Sequence, residues 1–215
     1  MAYSKVFGLG LSRTGTTSLH AAALLLGMST IHYPVQFSRK WMSGDFSSDA
    51  IGPFIFYTDI PVPAYYREFD IACPNSKFIL TIRNPEDWIV SIENHFSNTI
   101  LSSSKTFIRD NNRFVVYGET KFDRQKFVDV YNRHCDRVVK YFGNRVNTLL
   151  VLDIAKESDP WISLCNFLDI DTPSGNFPHL RSPNLGVLQF VLPTEVEHKR
   201  SILEGLLKRG TSKNS

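Results

Sequence analysis

The chain has 215 residues, of which 42% are apolar and 21% charged, with a formal net charge of +3. That length suits one globular domain with a substantial core, and the composition is ordinary for a soluble protein. So small a positive charge gives no footing for nucleic-acid binding, and no apolar run reaches the length of a membrane span. Cys73, Cys135 and Cys165 are widely spaced and form no Cys-x-x-Cys, which argues against a disulfide framework or zinc site and suits a reducing compartment. The N-terminus leads directly into an apolar strand pattern, so no leader is expected and the expected location is cytoplasmic.

Lys5 to Leu9 reads as a first strand, and Thr16 to about Leu26 as a helix whose Ala21–Leu26 half is almost wholly apolar. Between them lies Gly10-x-x-x-x-Gly15-Thr16-Thr17, a Walker A frame with Thr16 where a nucleotide triphosphatase carries lysine. Without that lysine the loop can still hold an anion through backbone N–H groups and the positive end of the helix dipole. Arg13 offers a planar fork of donors to phosphate or sulfate, and Thr14, Thr16, Thr17 and Ser18 add hydroxyls at the same helix N-terminus. A ligand-free turn with a good helix cap is the plain alternative. A dinucleotide fingerprint fits less well: Gly8-x-Gly10-x-x-Arg13 lacks the third glycine, and no acidic residue occurs between Leu19 and Trp41.

Ser29 to Tyr33 follows as a second strand, carrying His32. Residues 33–63 are irregular and aromatic, broken by Gly44, Gly52 and Pro53, and are expected either to face substrate as a lid or to serve as core. Asp59 precedes a helix expected from Pro61 to Phe69, which it would suit as a cap. Phe78 to Ile82 is apt for a buried parallel strand, with Arg83 at its carboxyl end and Ser91 on the helix from Pro85 to about Ser97. Residues 97–120 are expected to face substrate, with Ser102–Ser104 mobile and Thr106–Glu119 forming a second wall of the acceptor site. Lys121–Phe142 has helical spacing, Asn147–Leu152 reads as a strand and Trp161–Leu168 as a helix. Pro173–Pro183 is a loop, and 193–215 a C-terminal helix and tail. This alternation predicts a single-domain α/β three-layer sandwich, residues 1–215, with a central parallel sheet covered on both faces.

Two segments in this order resemble the cofactor motifs of sulfotransferases that use 3′-phosphoadenosine 5′-phosphosulfate (PAPS). They are Arg13-Thr14-Gly15-Thr16-Thr17 and Arg83-Asn84-Pro85-Glu86-Asp87-Trp88-Ile89-Val90-Ser91. The resemblance implies a P-loop NTPase-like fold. It assigns Arg13, Thr14, Gly15, Thr16 and Thr17 to the 5′-phosphosulfate, where the neighbouring Ser18 hydroxyl is a further candidate, and Arg83 and Ser91 to the 3′-phosphate. It also implies a small-molecule acceptor with a hydroxyl or amine, PAP (3′-phosphoadenosine 5′-phosphate) as product, and no metal, since Arg13 and N–H donors neutralise the leaving phosphate.

Tyr57-Thr58-Asp59-Ile60-Pro61 is similar to the family's Lys-Thr-His-x-Pro segment, with Asp59 in the place of the basic histidine and Tyr57 in that of the lysine. A carboxylate serves well as a base only where burial raises its pKa, and Phe54, Phe56, Tyr65 and Tyr66 are expected to line such a pocket. His32, Tyr57 and His95 are candidates for the acceptor side, with Glu93 beside them. His179 lies in a Phe-Pro-His segment similar to one near the end of related bacterial enzymes, where it would close over the cofactor. Aromatics around 54–66 and 107–117 favour an apolar or aromatic acceptor. Two other readings stand beside this one: a P-loop kinase or NTPase-like enzyme, and a noncatalytic nucleotide-binding protein of the same fold.

Overall fold

Period-two alternation in three short strands decides the architecture. In β1 (Val6–Gly8), β3 (Phe56–Thr58) and β4 (Lys77–Thr81), Val6, Phe56 and Ile79 enter one apolar cluster, while Phe7, Tyr57 and Phe78 enter a second on the opposite face. The computed structural model describes residues 3–99, 106–180 and 188–211. Within them, β1 pairs in parallel with both β3 and β4; β2 (Thr30–His32) joins β3, and β5 (Leu149–Leu152) joins β4, also in parallel. The two-residue β6 (Phe190–Val191) runs antiparallel to β2, giving the order β5-β4-β1-β3-β2-β6.

Helix α1 (Thr16–Leu25) is buried over most of its surface because it lies on the sheet and is itself covered. Leu19, Ala22 and Ala23 pack with Trp161 and Leu164 of α8 (Pro160–Leu168), and Ala21 and Leu24 with Leu203 of α9 (Val196–Thr211). The other face carries α2 (Ser38–Met42), α3 (Ser48–Ile51), α4 (Tyr66–Ala72) and part of α7 (Arg124–Phe142). A third cluster caps the carboxyl ends of the strands, where Trp88, Ile89 and Ile92 of α5 (Pro85–Thr99) meet Tyr117 of α6 (Thr106–Tyr117) and Phe127 and Tyr131 of α7. The ends of these helices follow from local chemistry. Asn84, Asp123 and Asp159 side chains accept from backbone amides of Glu86, Lys126 and Trp161 at 2.9, 3.1 and 3.0 Å.

The three-layer α/β arrangement predicted from the sequence is present, and the structure adds detail in three places. Of the two roles open to residues 33–63, lid or core, Trp41, Phe54, Phe56 and Tyr57 take the second, buried in the two face clusters, and the stretch contributes α2, α3 and strand β3. The helix expected at Pro61–Phe69 is a 3-10 turn (Val62–Tyr65) followed by α4, and Asp59 supplies it no side-chain cap. In the 97–120 stretch, Thr106–Tyr117 is helix α6, while residues 100–105, including Ser102–Ser104, lie outside the described residues.

Sheet order places the reversal of direction between β1 and β4, since β2 and β3 lie to one side of β1 and β4 and β5 to the other. Open α/β sheets leave a crevice at such a point, outside the carboxyl ends of the strands.

Candidate functional site

The loop after β1 is held in that crevice by its own apolar residues: Leu9 and Leu11 are buried in different clusters, which pulls the intervening backbone against the end of β4. Gly10 has no room for a side chain, because a Cβ there would lie 2.8 Å from the Thr81 carbonyl. The Thr14 hydroxyl pins the loop, bonding the Leu11 carbonyl at 2.8 Å and the Thr81 hydroxyl at 2.7 Å. Gly15 (φ 104°) then turns the chain into α1. As the cap position it offers no side chain, and the first turn of α1 holds no acidic residue, so the N-terminal amides keep their capacity for an outside anion.

Arg13, itself in the left-handed region (φ 74°), projects from this loop toward α5, and its Nε donates to the Ser91 hydroxyl at 3.1 Å. Arg83, past the end of β4, opens on the same pocket. This pocket encloses about 400 Å³ and is lined by Arg13, Gly15, Thr16 and Thr17 from the first segment, and by Arg83, Ser91 and His95 from the second.

Its remaining wall is Ser12, His32, Asp59 and Leu180. Asp59 follows β3 with φ 67°, a conformation that Asp tolerates better than most residues. One of its carboxylate oxygens accepts from the Ser12 hydroxyl at 2.6 Å, and the other lies 3.3 Å from His32 Nε2. His32 Nδ1 faces the Thr58 hydroxyl at 2.8 Å. The Thr58 hydroxyl also donates to the Thr16 carbonyl at 3.3 Å, so the His32 tautomer follows from which neighbour, Thr58 or Asp59, the ring donates to. Burial lowers the pKa of His32, with Asp59 pulling the other way. His95 is also lowered by burial; Asp59 opposes this shift, while Arg13 and Arg113 add to it.

The structure thus gathers Arg13, Gly15, Thr16, Thr17, His32, Asp59, Arg83, Ser91 and His95 around one pocket. It places the other predicted residues elsewhere. Tyr57 is fully buried on the face away from α1, its hydroxyl donating to the Ile51 and Gly52 carbonyls at 2.9 and 3.0 Å. Strand alternation turns it from the pocket. Thr14 spends its hydroxyl on the loop and strand, as above, and Ser18 accepts from the Leu180 amide at 3.0 Å. Phe54, Phe56, Tyr65 and Tyr66 belong to the core clusters and do not surround Asp59, which has Ser12 and His32 as neighbours instead. Glu93 faces Arg124 of α7 at 3.3 Å, and His179 is exposed and lines a separate groove. Ser12 and Leu180 were not foreseen; a serine immediately before Arg13 is the only sequence signal for the former. Among the described residues no three His, Cys, Asp or Glu side chains gather as metal ligands, and no helix is long and apolar enough to cross a membrane.

Residues 5–184 match a family model described as a sulfotransferase domain. Ava biosynthesis cluster protein M of Aspergillus versicolor is 27% identical over 208 residues, an alignment covering 82% of this chain and 80% of that protein. Among solved structures, the sulfotransferase from Alicyclobacillus acidocaldarius shares the fold. Its TM-score is 0.50 at 17% identity, over 86% of this chain and 89% of that one.

Proposed function

Since this chain belongs to the sulfotransferase domain family, we propose that it transfers a sulfuryl group from PAPS to a hydroxyl or amine of a small-molecule acceptor. The observation that carries this reading is the meeting of Arg13 and Ser91 at 3.1 Å, which brings the two motif segments to one pocket that also holds Asp59.

The residues present fit a donor with anionic groups at both ends of its ribose. Two guanidiniums, the hydroxyls of Thr16, Thr17 and Ser91, and an uncapped helix N-terminus all border the same space. Bound there, PAPS supplies the activated sulfuryl group and PAP is the leaving product. Arg13, the Thr16 and Thr17 hydroxyls and the first amides of α1 would hold the 5′ end and offset the charge that grows on the leaving phosphate. Arg83 and Ser91 would hold the 3′-phosphate. Asp59 would take the acceptor's proton, with Ser12 and His32 fixing both of its oxygens, and His95 would border the acceptor.

Calorimetric titration with PAP, with ADP and magnesium as the control and Arg83→Ala alongside, tests the reading. Binding of PAP that depends on Arg83, with little binding of ADP, is the expected result and would license an acceptor screen with labelled PAPS. Binding of ADP or ATP with magnesium alone would overturn it in favour of a kinase-like enzyme. PAP binding with no transfer to any acceptor would leave a noncatalytic nucleotide-binding protein.

A further inference from the structure

The ladder of β4 ends with the Ile82 amide donating to the Leu152 carbonyl at 2.9 Å. The cap of α5 begins at Asn84, whose side-chain oxygen accepts from the amides of Glu86 and Asp87 at 2.9 and 3.3 Å. Arg83 lies between the last ladder bond and the helix cap, in the link 82–84 that joins β4 to α5, so its backbone angles help set where its guanidinium emerges. Both of its peptide groups are taken by one side chain. The Tyr131 hydroxyl accepts from the Arg83 amide at 2.9 Å and donates to the Arg83 carbonyl at 2.6 Å.

Only a neutral phenol can do both, and burial pushes the Tyr131 pKa up to about 12. The ring of Tyr131 packs on Trp88 with centroids 4.6 Å apart. Trp88 is fully buried, and its indole N–H donates to the Ser12 carbonyl at 2.9 Å. Ser12 immediately precedes Arg13. A continuous run of packed and hydrogen-bonded groups therefore joins the backbone of Arg83 to the backbone beside Arg13.

We infer that Tyr131 is a positioning residue for Arg83, and that Trp88 ties it to the loop of Arg13, so the two arginines keep a span suited to the 3′- and 5′-phosphates of one nucleoside. This inference rests on the PAPS reading of the pocket. It makes Tyr131 a determinant of selectivity for 3′-phosphorylated nucleotides without contact to them.

The test is calorimetry with PAP and with adenosine 5′-monophosphate, which lacks the 3′-phosphate. The proteins compared are the unaltered chain, Tyr131→Phe, Arg83→Ala and the double variant. Tyr131→Phe is expected to weaken PAP binding roughly three- to tenfold, the effect of one or two neutral hydrogen bonds, and to leave the monophosphate unchanged. In the Arg83→Ala background it is expected to add no further loss, since the residue through which it acts is gone. Unchanged PAP affinity, an equal loss for both nucleotides, or additive losses in the double variant would overturn the inference. If Tyr131→Phe does not fold, Tyr131→His is read by the same comparison, because it keeps a ring with a polar atom but cannot both accept from the Arg83 amide and donate to its carbonyl as the hydroxyl does. If the unaltered chain binds PAP no more tightly than the monophosphate, the PAPS reading itself fails, and the inference with it.

Discussion

Arg13 lies in the loop after β1 and Ser91 in helix α5, yet the Nε of the arginine donates to the hydroxyl of the serine at 3.1 Å. The contact leaves the terminal nitrogens of the guanidinium for other acceptors and fixes the direction in which they point. Arg13 therefore depends on the second segment for its orientation, and each segment alone would present a looser site.

Arg13→Ala should lower sulfuryl transfer on the order of 10²- to 10³-fold, the usual effect of removing one preorganised donor from developing charge. The residue is only half-buried, so stability should change by no more than about 0.5 kcal/mol. Ser91→Ala should cost less in rate while weakening PAP binding several-fold. Transfer of label from PAPS, measured beside urea unfolding, checks both parts.

Asp59→Asn keeps the shape of the side chain and an oxygen for the Ser12 hydroxyl but removes the charge that accepts a proton. Transfer should fall on the order of 10²- to 10⁴-fold, with PAP affinity nearly unchanged. Single-turnover transfer and calorimetry separate the two effects. Transfer at the unaltered rate would remove Asp59 from the chemistry.

Stability should fall in mild acid. His20 is completely buried, with Nε2 facing the Leu188 carbonyl at 2.6 Å and Nδ1 the Thr30 hydroxyl at 2.9 Å. Burial, aided by His32, pushes its pKa down to about 3. In an unfolded chain a histidine titrates near ~6.5. Between those values the unfolded state takes up a proton that the folded state refuses, so stability is full above the upper value and is lost as pH falls below it. Burial lowers His32 and His134 in the same direction. Each histidine so held contributes up to about 1.4 kcal/mol of loss per pH unit. Urea midpoints at pH 7.5 and 5.5 should show the drop, and His20→Gln should flatten it.

Tyr57→Phe should destabilise the fold by about 1 kcal/mol, because the hydroxyl satisfies the buried end of α3. PAP binding should be unaffected. A change in nucleotide affinity without a change in stability would return Tyr57 to the pocket.

The site was legible in the sequence where its chemistry is contiguous. Arg13 to Thr17 and Arg83 to Ser91 carry their spacing within one turn or one helix; α5, α7 and α8 announce themselves by period or cap, and α1 by its apolar run after the Gly/Thr loop. What escaped depends on pairing across long separations. Strand β3 is three residues long, and only its position between β1 and β2 decides that Tyr57 faces the second cluster while Asp59 emerges at the crevice. Ser12 is an unspecified position of the loop until β1 and β3 lie side by side and bring Asp59 to it. The aromatics of 33–63 likewise gave no sign of which surface they cover, and β6, at two residues, has no periodicity to read.

The family match ends at residue 184, but the first helix does not finish its packing there. His20 reaches the Leu188 carbonyl, Ala21 and Leu24 lie against Leu188, Val191 and Leu203, and the amide of His32 donates to the Gln189 carbonyl at 2.8 Å. Cutting the chain after residue 187 would therefore strip the back of the helix whose front end borders the pocket, along with a hydrogen-bond partner of a histidine beside Asp59. Residues 188–211 are thus an inner brace of the pocket lined by Arg13 and Asp59, and a boundary drawn by sequence likeness alone would remove it.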